Sequence, residues 1–321
     1  MSRAKKCGII LAMLRATTAA ALQELPQPLH LALGVFDGVH AGHRAVIGAA
    51  RDSALKVGGS HVVVTFEPHP IRFLAPDRAP RQLLATLDHK ARILQRMGVD
   101  ALLALPFNEA LAALSASEFL AMLCQGGSIA SMAVGEDWRF GQGRSGDVHF
   151  LRAEGDRLGF TVYALAPVMH EGERISSTRI RQAIRDGALA HATAMLGRDY
   201  SIVGEVVKGQ QLGRTIGFPT ANLAIDQELL PPDGVWIVRA QCADTTWHGV
   251  ANLGLRPTVD GSKRVFEVHL FDVHPDLYGK TLEVTFLHFL RSEQKFAGVD
   301  ALKQQIHVDA CQARDWLSSH A

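Results

Sequence analysis

The chain has 321 residues, room for two domains with separate cores, and a formal net charge of +1, which gives no overall basic field for nucleic acid or a membrane surface. Apolar residues make up 47% and charged residues 20%, the balance of a globular protein and not of a disordered chain. The four cysteines, Cys7, Cys124, Cys242 and Cys311, are far apart and form no CxxC pair, which argues against a zinc cluster and for reduced thiols in a cytoplasmic protein.

The opening "MSRAKKCGIILAMLRATTAAA" loosely mimics a secretory signal, but Arg15 interrupts its apolar run, which is too short to span a bilayer. Residues 1–28 are expected to form an extension, poorly ordered at its start, with Met1 or Met13 as the true start. From 29 to 198 the texture alternates. Strand-like runs at 29–36, 61–68, 100–107, 128–135 and 160–168 are separated by helix-period stretches at 43–58, 87–98, 115–125 and 147–159, and a further helix is expected over 177–197. Short apolar strands alternating with amphipathic helices predict an α/β, doubly wound parallel sheet covered on both faces, with ligands at the carboxyl ends of its strands. From 199 to 321 the runs at 200–209, 234–243, 245–254, 264–272 and 281–291 are rich in Val, Thr and aromatics and punctuated by Gly or Pro. They predict an antiparallel β-barrel carrying a terminal helix over 298–320.

Two motifs in the first part carry chemistry. "GVFDGVHAGH" (34–43) ends the first strand with Asp37, His40 and His43 around Gly38 and Gly42, just before a helix. A glycine there lets a polyphosphate approach the backbone, the helix start favours an anion, and two imidazoles can donate to phosphate oxygens as charge builds on them. Two exposed turn histidines, or a metal site lacking a third nearby ligand, are the alternatives. "ISSTRIRQAI" (175–184) places Ser176, Ser177 and Thr178 at a helix start and Arg179 and Arg181 in its first turn. An N-cap explains one hydroxyl, but cations at this end of the dipole call for an anion, and a bound triphosphate supplies it.

With these two motifs the chain resembles the bacterial bifunctional riboflavin kinase/FMN adenylyltransferase (FAD synthetase) family, whose nucleotidyltransferase half is marked by GxFDGxHxGH and ISSTxIR. The resemblance implies ATP binding by Gly34, Phe36, Asp37, His40, Gly42, His43, Ser176, Ser177, Thr178 and Arg181, with His40 and His43 catalytic. "TFEPHP" (65–70) and "VGEDWRFGQG" (134–143) are similar to the flavin side of that site, implying FMN binding by Glu67, His69, Asp137 and Arg139. His69, between two prolines, reads equally as a rigid loop residue.

In the second part "GQQLGRTIGFPTANL" (209–223) is glycine-rich and ends in Pro-Thr-Ala-Asn, offering bent backbone amides to phosphate and hard oxygens to Mg²⁺. By itself it is a weak signal, but it is similar to the family's kinase motif GRxxGFPTAN. The resemblance implies ATP binding by Gly209, Gly213, Arg214, Gly217, Pro219 and Thr220, and Mg²⁺ at Thr220 and Asn222. It also implies flavin binding by Asn252, Arg256, Arg291 and Glu293. Within "FEVHLFD" (266–272), strand alternation puts Phe266, Val268 and Leu270 on one face and Glu267 and His269 on the other. Glu267 reads either as a solvent-facing carboxylate or, by resemblance, as the base for the riboflavin 5′-hydroxyl.

The resemblance runs from about residue 29 to 316, with the long start, Trp138, Asp199 and Trp236 as departures. It implies an N-terminal nucleotidyltransferase domain (29–198) and a C-terminal riboflavin kinase domain (199–321) that convert riboflavin to FMN and FMN to FAD. ATP is the co-substrate and Mg²⁺ the cofactor. No nucleic-acid or membrane partner is expected, and the chain is expected to be cytoplasmic, a monomer or a weak homo-oligomer. The rivals are a nucleotidyltransferase for another phosphorylated alcohol with an accessory barrel, and a flavin-binding regulator without turnover.

Overall fold

The structure, a computed structural model, describes residues 13–80, 82–209, 212–225, 228–258 and 261–320. Cys7 and most of the signal-like opening therefore lie outside the described residues. Two compact units form, Met1–Arg81 with Thr86–Ser177, and Gln82–Ala85 with Thr178–Ala321.

In the first unit, β1 is Leu14–Ala16, β2 is Leu29–Leu33, α1 is Ala41–Val57, β3 is Ser60–Glu67 and α2 is Pro70–Leu74. α3 (Leu87–Arg96), β4 (Ala101–Pro106), α4 (Glu109–Ala113), α5 (Ala116–Cys124) and β5 (Ile129–Gly135) follow, then α6 (Val148–Leu158) and β6 (Thr161–Leu165). The short strands β7 (Met169–His170) and β8 (Glu173–Arg174) pair as a hairpin. The main sheet has the order β1-β4-β3-β2-β5-β6 and is parallel throughout. Every residue of β2 is buried, as expected of a strand covered on both faces. The chain winds from β2 through β3 to β4 on one side and through β5 to β6 on the other. The carboxyl ends of β2 and β5 therefore flank a topological switch point, where such sheets bind ligands.

One expectation is corrected here. Residues 14–28 are no loose extension: Leu14–Ala16 extend the sheet beside β4, and Leu22 in the following 3₁₀ turn is fully buried. Three residues carry too little alternation to register as a strand in the sequence.

At the amino ends of the strands, His30 of β2 is opposite His61 of β3, and both are buried. His30 Nδ1 lies 3.0 Å from Ser53 Oγ and 2.9 Å from Ser131 Oγ, while Nε2 is 2.8 Å from the Gly58 carbonyl. Burial, helped by nearby Arg51 and His30, pushes His61 down to about 4. A histidine lowered on folding binds its proton more readily in the unfolded chain. Its contribution is complete above the ordinary histidine range and is lost as pH falls toward 4. His61→Leu should therefore flatten the acid limb of stability. Urea unfolding at pH 7 and about pH 4.5 should show the gap between the two shrinking by about 2–3 kcal/mol. An unchanged gap would mean that His61 does not titrate in this window.

α7 (Ser177–Arg185) begins at the last residue of the first unit, and α8 (Leu189–Leu196) follows. The single helix expected over 177–197 is thus two, because Gly187 adopts φ 73°, a left-handed conformation that ends the first. In the second unit β9 (Ser201–Val207), α9 (Leu212–Thr215), β10 (Ala221–Ala224), β11 (Gly234–Cys242), β12 (Thr245–Thr258), β13 (Gly261–Leu270) and β14 (Thr281–Arg291) precede α10 (Val299–Ser319). The strands close a barrel in the order β10-β13-β12-β11-β14-β9, antiparallel at every pairing. Alternation on β13 follows the expectation: Phe266, Val268 and Leu270 are buried, and Glu267 and His269 are half-buried on the opposite face. β10, four residues that begin within the Pro-Thr-Ala-Asn motif, is the barrel strand not anticipated. Trp236 is buried and donates from Nε1 to the Pro232 carbonyl at 3.1 Å, so the larger ring is satisfied. Asp199 meets Arg239 at 3.6 Å, an exposed pair worth little to stability.

Candidate active sites

Beyond β2 the chain turns sharply. Phe36 (φ 52°), Gly38 (φ 78°) and Val39 (φ 43°) all lie in the left-handed region, which is costly for a bulky or β-branched residue. Burial of Phe36 and Val39 holds them there. Gly34 is required by its neighbour, since a Cβ on it would stand 2.9 Å from the Phe36 ring.

His40 is the N-cap of α1. Its Nδ1 accepts from the His43 amide at 3.3 Å, which leaves the proton on Nε2. Its ring stacks on that of His43 with centroids 3.5 Å apart and 18° between planes, and Phe36 meets His43 edge-on. A Cβ on Gly42 would lie 3.2 Å from the His40 ring, so this glycine makes room for the folded-back imidazole. That adds to the expectation for Gly42: one of the helix-start amides is already used by His40. Burial first, then His40, Lys90 and Arg174, hold His43 well below the ordinary histidine value. Its Nδ1 is buried without a hydrogen-bond partner, an orphaned polar atom of the kind that a ligand satisfies.

The two motifs meet. Ser177 Oγ donates to the Asp37 carbonyl at 3.0 Å across 140 positions of sequence, and the Asp37 side chain is buried. Ser176 precedes α7, and Thr178 and Arg181 continue it. Arg181 is buried and its Nε donates to the Gln82 carbonyl at 3.3 Å, a main-chain partner that the sequence did not suggest.

On the opposite side of the switch point, Asp137 follows β5 and pairs with Arg174 of β8 at 2.5 Å; the guanidinium holds its carboxyl below the usual range. Arg139 is exposed, 3.8 Å from Asp147. Trp138 stacks on Phe140 at 4.4 Å and 15° within an aromatic cluster that includes Phe119 and Phe150, so this departure is accommodated by packing. Glu67 ends β3, and His69 caps α2, its Nδ1 accepting from the Ile71 amide at 3.3 Å.

Two cavities of the barrel are lined by described residues. One, of about 260 Å³, is lined by Thr220, Asn252, Glu267, His269, Arg291 and Glu293 among others. The second, of about 640 Å³, is lined by Gly217, Pro219, Thr220, His274, Asp276 and Tyr278 among others. Thr220 borders both. Cross-strand register sets Asn222 of β10 and Asn252 of β12 on either side of Glu267, and paired residues share a face. The Gly209 backbone lies against the Asn222 side chain, where a Cβ would come within 2.4 Å. Asn252 Nδ2 donates to Glu293 Oε1 at 3.3 Å, and a Cβ on Gly254 would stand 1.8 Å from the same oxygen, so a side chain there would displace the Glu293 carboxylate. Arg291 is clamped by Asp309 of α10 through bonds of 2.8 and 2.7 Å. The side chains of Arg214 and Arg256 lie outside the described residues. Burial lowers His269, whose Nδ1 lies 2.9 Å from the Pro219 carbonyl.

Sequence reasoning passed over Lys90, Arg174 and Asp309. Two of them left a signal: Lys90 and Asp309 each interrupt the buried stripe of an amphipathic helix, and a charge there needs a partner.

A parallel-sheet unit with imidazoles and a hydroxyl turn at its switch point, joined to a closed barrel whose two cavities share a threonine, is the architecture of an enzyme with two phosphate-handling sites. The FAD synthetase family model matches residues 22–179 and the riboflavin kinase model residues 196–317. Bifunctional riboflavin kinase/FMN adenylyltransferase of Escherichia coli (strain K12) is 42% identical over 289 residues, covering 89% of this chain and 92% of its own. The enzyme of the same name from Pseudomonas fluorescens is 42% identical, covering 88% and 91%. A crystal structure titled as a macrolide-efflux protein from Streptococcus pneumoniae is 32% identical, with a TM-score of 0.79, covering 95% of this chain and 100% of that one. Among the described residues no helix is long and apolar enough to cross a membrane. The chain belongs to the bifunctional riboflavin kinase/FMN adenylyltransferase family. It phosphorylates riboflavin to FMN with ATP and adenylylates FMN with a second ATP, giving FAD and pyrophosphate.

Proposed function

We propose that adenylylation belongs to residues 29–198 and phosphorylation to residues 199–321, each using the residues its own motifs bring together. The observation that carries the reading is the Ser177 hydroxyl on the Asp37 carbonyl, which joins the two nucleotide motifs at the carboxyl end of β2. There, the ATP triphosphate accepts hydrogen bonds from His40 Nε2–H and from the open nitrogen of His43 in its Nδ1–H tautomer. Gly34, Phe36 and Gly42 shape the turn, and Ser176, Ser177, Thr178 and Arg181 complete the phosphate contacts. The FMN phosphate oxygen attacks the α-phosphorus in line and pyrophosphate leaves with the electron pair. Placed donors offset the developing charge and no covalent enzyme intermediate forms. Glu67, His69, Asp137 and Arg139 receive the flavin.

In the barrel, the larger cavity, bordered by Gly217, Pro219 and Thr220, receives ATP together with Gly209, Gly213 and Arg214. The smaller receives riboflavin against Asn252, Arg256, Arg291 and Glu293. Glu267 takes the proton of the riboflavin 5′-hydroxyl as its oxygen attacks the γ-phosphorus and ADP leaves. The Thr220 hydroxyl and Asn222 amide oxygen, hard donors beside the Glu267 carboxylate, fit Mg²⁺. Mg²⁺ held there would spread the charge of the transferring phosphoryl group. We also propose a cytoplasmic, monomeric or weakly associating enzyme. Support comes from a net charge of +1 and from Cys124, Cys242 and Cys311, which are all free thiols.

The test follows riboflavin, FMN and FAD by chromatography after mixing the full chain with riboflavin and ATP, with Mg²⁺ and after chelation. FMN followed by FAD is expected with Mg²⁺ and neither product without it. Undiminished phosphorylation after chelation would remove the metal pair from the reading.

A further inference from the structure

Lys90 lies in the first turns of α3 among buried His89, Ala91, Ile93 and Leu94, and is itself only 5% exposed. Its Nζ donates to the Val35 carbonyl at 2.8 Å and to the Thr65 hydroxyl at 3.3 Å. Thr65 Oγ1 donates to the same carbonyl at 2.9 Å. Two donors from two elements, α3 and β3, thus close on one main-chain oxygen and on each other, and that oxygen belongs to the residue immediately before the strained turn at Phe36, Gly38 and Val39. Backbone in such regions persists only where its surroundings over-determine it.

Helix packing does not call for this residue. An apolar side chain would fill the face between α3 and the sheet without desolvating a cation, whereas burial depresses the Lys90 ammonium. What favours its charged form is the electrostatic reach of Asp37 on the nucleotide side and Glu67 on the flavin side. Upward, it acts on His43 together with His40 of the same turn and Arg174 of β8.

We propose that Lys90 is a positioning residue of the adenylyltransferase site: its ammonium fixes the Val35 carbonyl that roots the His40–His43 turn. The proposal rests on reading that turn as the ATP cradle. Lys90 touches neither reacting atom. It sets where the imidazoles stand and adds to burial and His40 in holding His43 neutral, so that the ring donates to phosphate from one nitrogen.

The test uses the full chain with Lys90→Met, which keeps length without charge or donors, and Lys90→Gln, which keeps a donor. Lys90→Met should lower kcat for FMN adenylylation about a hundredfold while riboflavin phosphorylation in the same preparation is unchanged. In nuclear magnetic resonance titrations the His43 ring of that variant should titrate at higher pH than in the wild type, one depressing charge being gone. Lys90→Gln should recover part of kcat with the same His43 displacement. Equal adenylylation rates in wild type and Lys90→Met, or an unmoved His43 titration, would overturn the proposal. So would loss of native circular dichroism in both variants, which would make the lysine a structural residue. His43→Ala is assayed alongside. An undiminished FAD rate there removes the cradle and this proposal with it, whereas a silent Lys90→Met beside a disabled His43→Ala removes this proposal alone.

Discussion

Glu267→Gln is expected to stop riboflavin phosphorylation while leaving conversion of supplied FMN to FAD largely intact. The substitution keeps the size of the side chain and its place between Asn222 and Asn252 on the barrel wall, so β13 and its buried face of Phe266, Val268 and Leu270 are undisturbed. What disappears is the carboxylate proposed to accept the hydroxyl proton. Loss of a general base lowers turnover by roughly 10²–10⁴. The effect belongs in kcat, because Asn252, Arg291 and Glu293, the residues proposed to hold riboflavin, still line the same cavity. Riboflavin and FMN measured separately as substrates check this, and equal loss of both activities would show that the halves do not separate as argued.

His43→Ala is expected to leave a riboflavin kinase that accumulates FMN. The ring is stacked on His40 and edge-on to Phe36, so its removal takes away a phosphate donor and half of the stack that orients the other. Deleting one preorganised donor to a developing anion costs roughly 10²–10³ in kcat. Because the His43 value is depressed, the ring stays neutral as pH falls through the ordinary histidine range. The wild-type adenylylation rate should therefore hold on the acid side further than an exposed histidine would allow. An undiminished FAD rate in the variant would take His43 out of the mechanism.

Much of the fold was legible because its signals are periodic. Five near-continuous apolar runs separated by amphipathic stretches could only be a covered parallel sheet, and β2 is buried at every position. Sequential Val- and Thr-rich strands without intervening helix gave the barrel. What escaped were elements too short for a period to show: β1 of three residues, β10 of four, and the break at Gly187 within an otherwise helical stretch. In the candidate sites, the dense motifs stood out and carried the family resemblance, and the Ser177–Asp37 bond brings two of those motifs together. Residues that act from outside the motifs were harder to see. Lys90 and Asp309 show in the sequence only as charges that interrupt an apolar stripe, and their importance lies in the carbonyl and the guanidinium they hold. Arg174 stands alone on a two-residue strand, where no pattern marks it.

Two labelled nucleotides test the account most directly: ATP marked at its γ-phosphorus and, in a parallel reaction, ATP marked at its α-phosphorus, each given to the full chain with riboflavin. The γ label should enter FMN and remain in the riboflavin phosphate of FAD, while the α label should appear only in the adenylyl half of FAD. With riboflavin and unlabelled FMN supplied together, Glu267→Gln should lose the γ label and keep the α label, and His43→Ala the reverse. Appearance of the α label in FMN, or the silencing of both labels by either substitution in that mixture, would contradict two separate ATP sites on this chain.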